Sequence, residues 1–259
     1  MESYLLSLNA PGSVSDPYLT ILLVLSIFVG AFVTSGFGVG GAVLTTPLFV
    51  FLLPPKFAIG LLAPLNLFIN TMGARQYWKK WNRRHLLILL PAALTGVWVG
   101  SYLLAVIPVI LVVKIVGGLA TIFGIFQFFT INRPQLRERF RPKDWQGVGL
   151  GFASGITSAM AHIGGVVFSF YLLPNSKDRE SFVATTVFMF MSTAILKIMT
   201  FSYYQLLTLP MFILALFLLP ASILGNLLGK WLNQRLSNRR FTQIISIFIA
   251  LMGLRLILG

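Results

Sequence analysis

Two lysines, Lys114 and Lys197, stand inside long apolar runs of the chain. A lysine at mid-membrane depth costs about 2.5–3.5 kcal/mol on the insertion scale, so it is usually enclosed by protein or functional. Lys197 is the deeper of the two by residue count and is read as a counter-charge for an anion. Lys114 is only five residues into its run, where snorkelling to an interface explains it equally well. Arg75, near the end of its run, stays open between the same two readings. Ser35, Thr45 and Thr46 flank a Gly-rich stretch holding Gly38, Gly40 and Gly41, and Ser158 and His162 flank a second, Gly164-Gly165. Hydroxyl and N–H donors suit an oxyanion, and the N-terminus of a broken helix adds partial positive charge. His162 either binds that anion, titrates near neutral pH, or is a plain hydrogen-bonding residue. The glycines themselves have a rival explanation in close helix packing. Asn66 and Asn70, four apart, share one helix face, and Ser192 and Thr193 lie at a similar depth in another run.

The missing chemistry is as informative. The six acidic residues are Glu2, Asp16, Glu138, Asp144, Asp178 and Glu180, and none lies within an apolar run. A carboxylate proton relay or carboxylate cation site in a bilayer is therefore excluded. With two histidines and no cysteine, no metal-ligand set is present and no cofactor is expected. An enzyme is disfavoured because no pair of titratable groups in the spans could do acid–base work. An inside-negative potential drives anions outward at about 2.3 kcal/mol per charge per 100 mV, so this pattern suits passive or voltage-driven anion export. A scaffold or assembly subunit that uses its spans for helix packing alone is the alternative.

Composition dictates what kind of helix or strand holds these residues. Of 259 residues, 57% are hydrophobic and only 10% charged, against about 25% charged in a soluble domain. The apolar runs are continuous, roughly 20 residues long and without period-two alternation, so membrane helices are expected rather than a barrel. The net charge of +14 would suggest nucleic acid in a soluble protein, but here the basic residues fill short loops between apolar runs. The expected partners are thus lipid and a small anionic substrate, not nucleic acid, with a homo-oligomer left open. About eight segments are predicted: 18–53, 57–78, 86–107, 109–131, 145–173, 181–202, 205–232 and 241–258.

The two halves share a pattern. Pro91 is followed by Gly96, Gly100 and Gly124 at the spacings at which Pro220 is followed by Gly225, Gly229 and Gly253. This predicts a duplicated unit: a first repeat over 18–131, a basic linker over 132–144 and a second repeat over 145–258. If every segment crossed once, the basic loops would fall on both sides of the membrane, against the positive-inside rule. If segments one and five each enter and return as Gly-broken hairpins, all basic loops share one side. That leaves three crossings per repeat, so the repeats are inverted and both termini lie outside, in a multi-pass protein of a bacterial inner membrane.

The Gly-x-Gly-Gly-x5-Pro element from Gly38 to Pro47, the matching Gly164-Gly165 and the twice-used Pro-x4-Gly-x3-Gly helix resemble the TauE/SafE sulfite-exporter family. The resemblance covers about Leu19 to Leu258. It implies two four-segment halves and transport of sulfur-containing anions such as sulfite, thiosulfate or an organosulfonate such as sulfoacetate. By position the family's Gly-rich elements map to Gly38, Gly40, Gly41 and Pro47, and to Gly164 and Gly165. The second copy departs from the pattern, with His162 where the first has Gly38 and Tyr171 where a second proline would fall.

Overall fold

The computed structural model describes residues 17–37, 42–77, 79–132, 142–233 and 238–258. Those residues form ten helices and no strand. They are α1 (Pro17–Phe37), α2 (Ala42–Leu52), α3 (Pro55–Gln76), α4 (Arg83–Val106), α5 (Val109–Asn132), α6 (Asp144–Ala161), α7 (Gly164–Asn175), α8 (Arg179–Tyr203), α9 (Leu209–Asn233) and α10 (Asn238–Leu258). The chain is an all-α integral membrane protein. Among the described residues α4, α5, α8 and α9 are long and apolar enough to cross a bilayer unaided. A helix of 24 residues such as α4 spans about 36 Å at 1.5 Å per residue, more than the roughly 30 Å hydrocarbon core.

The expected fifth segment is two helices. α6 descends from Asp144, the chain reverses at His162 and Ile163, and α7 returns. Both ends of this hairpin lie together: the Asn175 amide Nδ2 donates to Pro142 O at 3.2 Å, and the Tyr171 hydroxyl donates to Asp144 Oδ1 at 2.9 Å. Arg84 pairs with Asp144 at 2.7 Å and Lys80 with Glu180 at 2.6 Å, so the starts of α4, α6 and α8 and the end of α7 share one basic face. These exposed pairs contribute little to stability; their value is in marking that face. Glu180 holds the Lys80 ammonium above its usual range by a direct hydrogen bond. Helix starts there are capped by side chains, Asn82 accepting from the amides of Arg84 and His85, and Asp178 from that of Ser181.

The first segment also splits, into α1 and α2, which pack on each other. The expected break at Gly38, Gly40 and Gly41 lies outside the described residues. α2 ends at the opposite face from α7: Phe51 packs its ring under the Arg255 guanidinium, 4.7 Å away, near the end of α10. Lys56, at the start of α3, donates to Ala105 O near the end of α4 at 2.7 Å, on that same face. Rings of Trp98, Tyr102, Tyr203 and Tyr204 cluster toward it, three of them exposed, as an aromatic belt at a membrane interface does.

Helix partners are exchanged between the halves. α4 packs on α6, and α9 on α1; α5 packs on α10, and α3 on α8. Small residues allow the closest of these approaches. A Cβ on Gly96 would strike Phe152 O of α6, and one on Gly155 would strike Ala93 O of α4. Across the other junction, a Cβ on Gly225 would meet Phe28 O of α1. Gly96, Gly100 and Gly225 are therefore packing residues.

Candidate functional site

A cavity of about 110 Å³ lies between the hairpins. At about 30 Å³ per liquid water, it has room for three to four waters, the scale of a small oxyanion. Its polar lining is Thr45 of α2, Asn66 and Asn70 of α3, Ser158 and His162 at the end of α6, Lys197 of α8, and Ser222 and Asn226 of α9. Ile27, Leu62, Leu65 and Phe190 are among the apolar residues that close it.

The centre of the site is a three-residue arrangement. Ile59 O can only accept, so His162 Nε2, 3.0 Å away, must carry the ring proton and donate to it. Nδ1 is then the lone-pair nitrogen. It receives the Lys197 Nζ at 3.0 Å and the Asn66 amide Nδ2 at 3.2 Å. Lys197 Nζ also donates to Ser158 O at 3.3 Å. Lys197 is only 4% exposed, and no carboxylate approaches it among the described residues. A buried ammonium without a counter-ion costs several kcal/mol. The cavity beside it is where an anion offsets that cost.

His162 owes its position to its backbone. It caps α6 in the left-handed conformation, φ 56°, and its N–H bonds back to Ser158 O. For a residue with a Cβ that conformation costs of order 1–3 kcal/mol and persists only where surroundings enforce it. Here the ring bonds to Ile59, Lys197 and Asn66 do so. The break thus falls two residues before the glycines that were expected to make it. Gly164 instead permits contact: its carbonyl accepts the Ser154 hydroxyl at 2.8 Å, and a Cβ there would strike Ser154 O.

Of the residues singled out from sequence, Thr45, Asn66, Asn70, Ser158, His162 and Lys197 meet at the cavity. Gly164 and Gly165 are buried at the start of α7 and shape the hairpin rather than the cavity wall. Ser192 is half-buried and off the wall. It lies five residues before Lys197, roughly 140° around the helix at 3.6 residues per turn. Lys114 is exposed on α5, the snorkelling alternative, and does not reach the cavity. Gly38, Gly40 and Gly41 lie outside the described residues, as do the side chains of Ser35 and Arg75. Ser222 and Asn226 were not anticipated, although two polar residues four apart in an apolar run carry the same signal as Asn66 and Asn70.

Fold and site together define a polytopic helical membrane protein with a polar, lysine-bearing cavity enclosed among broken and crossing helices. The family described as sulfite exporter TauE/SafE matches residues 22–256. The chain belongs to that family, which is one of transporters. Comparison with curated proteins and with solved structures finds no match.

Proposed function

We propose that the chain exports a small sulfur-containing anion, such as sulfite, thiosulfate or an organosulfonate like sulfoacetate, and binds it in the cavity against Lys197. The observation that carries this reading is Lys197 itself: a buried amine with no carboxylate partner among the described residues, facing a space lined by amide and hydroxyl groups. Asn66, Asn70, Asn226 and Ser222 supply N–H and O–H donors around that charge, which suits tetrahedral or pyramidal oxyanions. His162 and Lys197 are a pair of titratable groups, 3.0 Å apart, that the sequence reading did not expect in the spans; what supports carriage of the anion rather than its conversion is membership of a transporter family.

The exchange of helix partners between halves supports two inverted repeats, 18–131 and 145–258, joined by a basic linker over 132–144. The hairpin α6–α7 then opens to the cytoplasm and α1–α2 to the outside, in a bacterial inner membrane with both termini outside. A reporter fused after Gly259 is expected to be active only in the periplasm; cytoplasmic activity would reverse the topology.

The functional test is flux. Purified protein in liposomes is expected to move at least one of sulfite, thiosulfate, sulfoacetate and sulfate with saturable kinetics. Absence of flux for all four, with no stabilisation of the protein by any of them, would remove transport and leave a packing scaffold.

A further inference from the structure

The Lys197 Nζ has three positions besides the carbon stem. One is directed to Ser158 O and one to His162 Nδ1, both acceptors in this arrangement. The third has no partner among the described residues, and Lys197 lines the cavity. An uncharged amine satisfies the same two acceptors with its two N–H bonds and leaves a lone pair at the third position. An ammonium places an N–H there instead. The site is therefore complete in two protonation states that differ only in what faces the cavity.

Which state prevails depends on what fills the cavity. With no anion, the ammonium is buried without a counter-charge and pays the desolvation cost in full. With an anion, the third N–H becomes a charge-assisted donor to an anion oxygen. Among the described residues no other titratable side chain reaches Lys197; that of Arg75 on α3 lies outside them. Helices α3, α4, α6 and α7 pack against α8. On α3, Lys56 is at the far end, bonded to Ala105 O. Arg83, Arg84 and His85 of α4, Asp144 of α6 and Tyr171 of α7 all belong to the basic end. Of the described titratable side chains, His162 alone reaches Lys197, and its Nε2–H is held by Ile59 O.

We infer that the Lys197–His162 pair takes up one proton from water as the anion binds and returns it when the anion leaves, so that the carrier moves each anion together with one proton. The Nζ lone pair accepts the proton, the new N–H bonds the anion oxygen, and both are released on the other side. A monovalent anion then crosses without net charge, in place of the voltage-driven export that the sequence suggests. Its direction follows the combined anion and pH gradients. This rests on the proposed anion site, and the test separates the two.

Thiosulfate binding to the purified wild-type protein is measured by calorimetry from pH 6 to 9 in two buffers of different ionisation enthalpy. Sulfite, sulfoacetate and sulfate follow in the same protocol. The expected result is uptake of close to one proton per anion at the alkaline end, with affinity falling about tenfold per pH unit there. Lys197→Arg, permanently charged, is expected to bind with no proton uptake and no such slope. Wild-type binding with no buffer-dependent heat and a flat pH profile would overturn the coupling while leaving the anion site standing. A slope that persists unchanged in Lys197→Arg would also overturn it. Binding of none of the four anions would remove the site and the coupling together.

Discussion

Lys197→Met is expected to lower saturable anion flux in proteoliposomes by about a hundredfold, the factor that roughly 3 kcal/mol of charge-assisted hydrogen bonding represents. The same substitution leaves the fold intact. Methionine matches the length of lysine and removes a buried amine that has no ionic partner among the described residues, a change that is often neutral or stabilising. Neither neighbour is orphaned, because His162 Nδ1 keeps the Asn66 amide and Ser158 O keeps the His162 backbone N–H. Lys114→Met is the control. Its side chain is exposed on α5, so flux is expected to change by less than about twofold. Equal loss in both variants would show that general positive charge, not this site, governs the flux.

The largest effect on stability is expected at Gly155, where α4 and α6 come closest. A Cβ there would strike Ala93 O and lie 2.6 Å from Val97 N and 2.8 Å from the Gly96 carbonyl carbon. These are backbone atoms, which cannot rotate aside as a side-chain end can. Gly155→Ala is therefore expected to cost about 2–3 kcal/mol, read as an earlier thermal transition of the detergent-solubilised protein. Gly149 lies six residues away on the same helix, and a Cβ there meets nothing within 4 Å. Gly149→Ala is expected to be neutral or to stabilise by up to about 1 kcal/mol, since alanine loses less backbone entropy in a helix. Similar melting of the two variants would mean that helix propensity, not the α4–α6 contact, sets the outcome.

What was legible in the sequence follows from how strongly each residue's surroundings are dictated locally. Apolar runs near 20 residues have one solution in a bilayer, so the helices are found nearly where the runs are. Asn66 and Asn70 were legible as a pair because a four-residue spacing puts both on one face whatever packs there. Lys197 was legible because a charge deep in an apolar run needs an explanation. Ser192 lies off the cavity wall because depth along a helix says nothing about rotation, and Lys197 and Ser192 point well apart around α8. Ser222 and Asn226 were passed over, while Gly225 between them was read as part of the repeated pattern. One helix does both tasks: Gly225 meets α1 while Asn226, one position on, lines the cavity. The chain reversal at His162 was expected at the glycines because glycine tolerates positive φ most readily. The ring's three hydrogen-bonded neighbours, two of them about 100 residues away in sequence, hold histidine there instead. Such long-range contacts leave no local trace.

An anion seated against Lys197 between the two hairpins would be seen in a crystal structure with 2-bromoethanesulfonate, an organosulfonate whose bromine is located by anomalous scattering. The expected result is a bromine peak in the cavity bounded by Asn66, Asn70, Lys197 and Asn226, with sulfonate oxygen within hydrogen-bonding distance of Lys197 Nζ, and no such peak in Lys197→Met. A peak confined to the basic loops, with the cavity empty in a protein that transports the compound, would contradict it.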